Sequence, residues 1–233
     1  MMRSESLQPT DPLLVWGRKQ DRLDNRFRAR AVIVEHLISH WTKSDWSAVD
    51  VSGGAGRWLS TLAPRFSKFT HLDLSPDALR VARTENSEFA NVEYGLVNLL
   101  QPRESVGGRS DTTWDTVFCL DTLLYRGDFV ETVLKNIRAF MSPRGVAIVD
   151  VPMRCRAFIA QQIKRRRTGP ERTFSPRETR VLFRNSGYAC LEAVYQYREM
   201  SPSMHHFLAI RRMDGWIPWP SAWMYVVLRR IDH

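Results

Sequence analysis

Ala48-Val49-Asp50-Val51-Ser52-Gly53-Gly54-Ala55-Gly56-Arg57-Trp58-Leu59 decides the fold: an apolar run ends in an acid, turns through three glycines in four positions and resumes as an apolar segment. The pattern reads as a strand, a loop and a helix. Glycines let the backbone approach a ligand and adopt torsions that a Cβ forbids, while the N–H groups opening the next helix point into the loop. A Gly-rich turn after any buried strand has the same appearance, so a ligand site needs a second feature. Phe69-Thr70-His71-Leu72-Asp73-Leu74-Ser75-Pro76-Asp77 supplies one. It reads as a second strand ending in Asp73, about 20 residues past the glycines, where a carboxylate can accept bonds from both ribose hydroxyls of a nucleotide. Ser75 is an N-cap with Pro76 as the first helical residue, which leaves Asp73 at the lip of its strand. The plainer alternative is a surface acid preceding a helix.

Together the two segments resemble the class I S-adenosylmethionine-dependent methyltransferases, whose first motif is an aliphatic strand, an acid and G-x-G-x-G. Ser52 stands where the first glycine belongs and Gly53 follows it, so Gly54 and Gly56 are the glycines that match. The similarity runs from about residue 45 to 213. Trp114-Asp115-Thr116-Val117-Phe118-Cys119-Leu120-Asp121 is similar to the family's fourth motif, and Ser142-Pro143-Arg144-Gly145 stands in for its Pro-Gly-Gly turn before a strand over Val146 to Val151. Gly187-Tyr188 is a frequent family junction.

The resemblance implies an α/β, Rossmann-like fold: a seven-stranded, mostly parallel sheet with helices on both faces, its last strand antiparallel, and an N-terminal helical lid. Strand–helix–strand alternation with short turns agrees with such a parallel sheet. The implied cofactor is S-adenosyl-L-methionine, leaving as S-adenosyl-L-homocysteine, held by Asp50, Ser52, Gly53, Gly54, Gly56, Asp73, Leu74, Asn98, Leu99 and Cys119. In this scheme Asp50 lies near the methionine amino end, Leu74 against the adenine face and Asn98 at the adenine amino group. The family usually has an acid at that last position, and Asn98 can still accept through its amide oxygen. Plain alternatives are a core Leu74 and a turn-forming Asn98.

Methyl transfer is an in-line displacement at a carbon already activated by the sulfonium, so alignment and exclusion of water carry most of the catalysis. A hydroxyl acceptor gains from a general base. His205, His206, Tyr125 and Asp121 are the titratable candidates, with a structural role the competing reading for the adjacent histidines. An amine acceptor needs none. The Asn/Asp-Pro-Pro-Tyr/Phe motif of enzymes acting on base amines is missing, since that place reads Leu120-Asp121-Thr122-Leu123. With no RNA-binding appendage either, the sequence argues against nucleic acid and for a small-molecule acceptor, anionic if the basic insertion meets it. No His/carboxylate cluster has metal-ligand spacing.

The chain has 233 residues, 43% of them hydrophobic, enough for one large α/β domain with additions. Cys119, Cys155 and Cys190 form no C-x-x-C, which points to a reduced, cytoplasmic setting rather than a disulfide framework. There is no apolar run of signal-peptide length, and no uninterrupted apolar segment of the roughly 18 residues that suggest a membrane span. A net charge of +9 favours anionic company.

Three segments flank or interrupt the core. Residues 1–44 are expected as an N-terminal helical segment in which Phe27, Val34, Ile38 and Trp41 share a face; Arg26, Arg28 and Arg30 read first as a solvated basic face and second as partners of the methionine carboxylate. Residues 154–172 carry Arg154, Arg156, Lys164, Arg165, Arg166, Arg167 and Arg172 with an apolar side of Phe158, Ile159 and Ile163. They read as a basic amphipathic insertion lying over the acceptor, with a peripheral membrane contact and a merely solvated helix as alternatives. Residues 214–233 read as an aromatic tail ending in an apolar helix, packed on its own domain or forming a dimer contact, so that either a monomer or a homodimer is open. Strands over Ala189 to Tyr197 and His205 to Arg212 are expected to form the closing hairpin.

Overall fold

A computed structural model describes residues 25–101, 112–123, 129–153, 173–197, 209, 210 and 221–231. Helix α1 (Asn25–Trp41) precedes β1 (Ser47–Asp50), and the glycine loop leads into the short α2 (Leu59–Leu62) and a 3-10 turn, Ala63–Arg65. Then come β2 (Lys68–Asp73), α3 (Pro76–Glu85), β3 (Val92–Leu96), β4 (Trp114–Cys119), α4 (Val130–Arg138) and β5 (Met141–Pro152). The chain closes with α5 (Pro176–Asn185), β6 (Tyr188–Tyr197), the two-residue β7 (Ala209–Ile210) and β8 (Ser221–Arg230).

The strands form one sheet in the order β3-β2-β1-β4-β5-β8-β6-β7. From β3 to β5 all neighbours are parallel, whereas β8 runs antiparallel to both β5 and β6. The expected seven-stranded arrangement with an inserted antiparallel strand is present, and β7 adds a short eighth strand at the β6 edge. Each face of the sheet carries its own apolar layer. One packs Val34, Leu37, Leu59 and Leu62 on Phe69, Phe118 and Ile148; the other packs Leu134, Ile137 and Phe183 on Val117, Val149 and Val226.

The inserted strand is not the expected one. Residues 221–230 were expected in a tail helix but form β8, so the core extends well past residue 213; of the expected strand 205–212, only Ala209–Ile210 lies within the described residues. Met224, Tyr225, Val226, Val227 and Leu228 are all fully buried, because β8 sits mid-sheet with side chains covered on both faces. A strand buried on both faces shows no alternation, so its pattern matches that of a buried helix.

Local signals hold elsewhere. The Ser75 hydroxyl caps α3 by accepting from Ala78 N at 3.2 Å. Ser175 and Glu178 form a complete capping box at α5, and Gly187 ends that helix at φ +81°. Replacing Ser175 with alanine is expected to cost about 1 kcal/mol, read as a lower midpoint of chemical denaturation with an unchanged slope.

Candidate functional site

Strand order reverses between β1 and β4, because the chain builds β2 and β3 on one side of β1 before crossing to the other. In open parallel sheets the ligand crevice lies outside the carboxyl ends of the strands at such a switch point. The glycine loop leaves β1 there, and Cys119 to Leu123 leave β4 beside it. Ser52 Oγ bonds the Thr122 hydroxyl and lies 3.8 Å from Cys119 Sγ, which joins the two exits. Burial pushes the Cys119 thiol up to about 12, so it is no nucleophile at neutral pH.

Three consecutive residues of β2 hold two consecutive glycines of the loop. Gly53 N donates to Leu72 O at 3.0 Å, Gly54 N donates to Asp73 Oδ2 at 2.8 Å, and His71 Nε2 lies 3.0 Å from Gly54 O. Gly54 and Gly56 have φ of +55° and +84°, torsions that a side chain disfavours. Where a Cβ on Gly54 would point, there is no atom of the described residues within 4 Å, so among them this part of the loop faces open space. Asp73 Oδ1 also accepts from Ser75 N at 2.9 Å, and each carboxylate oxygen keeps a further lone pair for a ligand. Leu74 is 63% exposed at the lip of β2, an apolar surface waiting for a cover, and it lines one groove with Asn98. Asn98 Oδ1 accepts from Leu100 N at 3.0 Å; Leu99 is partly buried, its carbonyl taken by Asn136 Nδ2 at 2.8 Å.

Asp50 is buried at the end of β1, and among the described residues only Ser52 N at 3.4 Å reaches its Oδ1. Burial raises its pKa to about 8, with Asp73, Asp121 and Asp150 adding to the effect. A folded-state acid raised above its ordinary value of 3.8 binds its proton more tightly folded than unfolded. The stability it contributes is therefore complete below that value and is lost as pH climbs through about 8. Unfolding followed across this window should show a decline with rising pH, and Asp50→Asn should flatten it.

Arg30 overturns the expectation of a solvated face. It is buried, its Nη2 pairing with Asp121 Oδ1 at 2.6 Å and Asp150 Oδ2 at 2.7 Å while its Nε donates to the Tyr225 hydroxyl. The guanidinium also lies over the rings of Trp223 and Trp58, 4.6 and 5.2 Å from their centroids. Burial works against its charge, yet Asp121, Tyr225 and Asp150 outweigh that and hold its pKa above the ordinary arginine value. Asp121, at φ +60°, is further tied by Trp58 Nε1 at 3.0 Å and faces Arg57 at 3.9 Å. Although burial disfavours its charge, Arg30 and Arg57 keep it ionised below the usual carboxylate range. With both oxygens engaged, Asp121 makes a poor general base. His205, His206 and Tyr125 lie outside the described residues, as does the stretch 154–172.

Sequence reasoning missed His71, Thr122 and the Arg30 cluster. One signal was present: Asp150 interrupts the apolar run Val146 to Val151, and an acid inside a strand buried on both faces requires a partner.

Residues 49–147 match a methyltransferase domain family, spanning the glycine loop, β2 and its acid, and β4. These residues form a methyltransferase domain. No curated protein sequence matches this methyltransferase. Its fold is similar to that of an S-adenosylmethionine-dependent methyltransferase from Clostridium acetobutylicum, with 12% identity, TM-score 0.63, and 91% of this chain and 94% of that one covered. It is also similar to a Haloferax volcanii complex of a methyltransferase with its activator, with 15% identity, TM-score 0.68, and 97% and 100% covered. A third likeness is the magnesium protoporphyrin IX methyltransferase of Synechocystis with bound S-adenosylhomocysteine, with 14% identity, TM-score 0.60, and 87% and 82% covered. The cofactor of this methyltransferase is S-adenosylmethionine, which supplies an electrophilic methyl carbon on its sulfonium. The open space before Gly54, the acid at the end of β2 and the exposed Leu74 fit it. Among the described residues no group of three or more His, Cys, Asp or Glu could hold a metal ion, and no helix is long and apolar enough to cross a membrane.

Proposed function

We propose that this methyltransferase acts in the cytoplasm on a hydroxyl of a small anionic acceptor, with Asp50, Ser52, Gly53, Gly54, Gly56, Asp73, Leu74, Asn98, Leu99 and Cys119 as its cofactor-binding set. The observation that carries the acceptor reading is the root of the basic stretch. Phe174 N donates to Pro152 O at 2.9 Å and Met153 bridges Phe174, so the chain leaves β5 and returns at one point. That point is the carboxyl end of a strand parallel to β4, the edge of the sheet on which the glycine loop opens. The seven cations of the stretch 154–172 lie in sequence between these two points. A cation cluster beside the sulfonium would raise the energy of the bound cofactor, whereas at the outer mouth it pairs with a carboxylate or phosphate of the acceptor.

Asp121 is spoken for by Arg30, Arg57 and Trp58, so the base for a hydroxyl comes from His205, His206 or Tyr125. Incubation with a metabolite extract and methyl-labelled cofactor tests this reading. Label in an acidic small molecule as a base-stable ether is expected; label on a nitrogen, or only in added RNA, overturns the acceptor class, and no label at all favours a silent cofactor-binding protein. With the acceptor in hand, neutralising Arg165, Arg166 and Arg167 together should raise its KM and leave cofactor affinity intact. Lost binding to anionic vesicles with normal turnover would instead assign the stretch to a membrane surface.

A further inference from the structure

Position 53 is one that the family's glycine pattern leaves open to any residue, and β2 explains why it is a glycine here. A Cβ on Gly53 would overlap the His71 imidazole and come within 2.7 Å of Asp50 Oδ2. The volume that a side chain at 53 would fill is thus filled from β2 by the His71 ring, fully buried and edge-on to Tyr94, with ring centroids 5.5 Å apart. Gly54 O can only accept, so His71 Nε2, 3.0 Å away, carries the proton. Burial lowers the pKa of the imidazole, the Gly54 bond and Asp73 opposing it, so the ring is uncharged and Nδ1 is a bare acceptor. Nδ1 and Asp50 Oδ2 are both buried without a hydrogen-bond partner among the described residues and face each other at 3.9 Å.

We propose that His71 is a positioning residue for the cofactor: its ring substitutes for a side chain at position 53, and its Nε2–H fixes the Gly54 carbonyl. The assignment rests on the glycine loop being the cofactor site, and it names the part that sets the loop from beneath. Gly54 is then held on both sides, its N–H by Asp73 and its C=O by His71, so the loop meets its ligand already at φ +55°. The charged and titratable groups facing the pair are Asp73 on β2, Tyr94 on β3 with Arg83 of α3 over its ring at 5.2 Å, and Asp121 and Asp150 from β4 and β5.

A double-mutant cycle tests the steric claim without any cofactor. Gly53→Ala should lower the melting temperature of the wild-type chain, and most of that cost should vanish in a His71→Ala background; strictly additive effects overturn the claim. His71→Phe tests the polar claim, since it keeps an aromatic ring against Tyr94 but has no nitrogen. It should melt within a few degrees of wild type while binding S-adenosylhomocysteine about tenfold more weakly, the loss of one hydrogen bond. Unchanged affinity in a folded His71→Phe protein overturns the positioning role. Should His71→Phe fail to fold, His71→Gln, which can donate to Gly54 O, must bind more tightly than His71→Leu, and equal affinities overturn the role. If wild type binds no S-adenosylhomocysteine, the cofactor reading of the loop falls and takes the positioning role with it, while the stability cycle still decides the packing of His71 against position 53.

Discussion

Arg30→Met will destabilise the fold by about 3–5 kcal/mol, the range found when one member of a buried ion pair is removed and its partners remain. Methionine keeps much of the aliphatic stem, so the loss is electrostatic. Asp121 and Asp150 would face each other across the vacated position with only Arg57 nearby, and Tyr225 and the indole faces of Trp58 and Trp223 would lose their cation. The loss should shrink as pH falls. In the wild type burial and Asp121 already raise Asp150 to about 7, and without Arg30 both acids move higher, so one proton relieves the repulsion from neutral pH downward. Adding Asp150→Asn to Arg30→Met should recover part of the loss above neutral pH, where Asp150 would otherwise be ionised. Denaturation of the three proteins at two pH values measures all of this, and a loss below about 1 kcal/mol in the single variant would mean that water reaches the cluster and solvates it.

Cofactor affinity should respond most to Asp73. Asp73→Ala is expected to weaken S-adenosylmethionine binding by about 2–4 kcal/mol, roughly 30- to 1000-fold, on the basis of about 1–3 kcal/mol for each bond to a charged group. The carboxylate has two tasks: it would accept the ribose hydroxyls, and it ties the loop to β2 through Gly54 N at 2.8 Å and the start of α3 through Ser75 N at 2.9 Å. Asp73→Asn separates them, because an amide keeps one acceptor oxygen for the loop while losing the charge. Its affinity should fall between those of wild type and the alanine variant. Titration calorimetry with either form of the cofactor reads the series, and undiminished affinity in Asp73→Ala would remove that residue from the site.

Local chemistry was legible in the sequence. Three glycines after an apolar run, an acid after the next strand, Ser-Pro openings and a Ser-x-x-Glu box are short-range signals, since each depends on torsions and bonds within a few residues of chain. They marked β1, the glycine loop, β2 and the cap of α3, while the resemblance supplied the parallel sheet around them. What the tertiary structure alone decided are the long-range pairings. Residues 221–230 became the sixth strand in the sheet order because a two-sided buried slot between β5 and β6 accepts any continuous apolar run, and hydrophobic period cannot tell such a strand from a buried helix. Arg30 became a buried ion-pair centre because Asp121 and Asp150, 91 and 120 positions away, converge on one point only when β4 and β5 lie side by side beneath α1. Gly53 lacks a side chain because His71, from the neighbouring strand, occupies its space. Composition cannot report which distant group fills a given volume, because steric exclusion and charge pairing act between atoms that only the folded chain brings into contact.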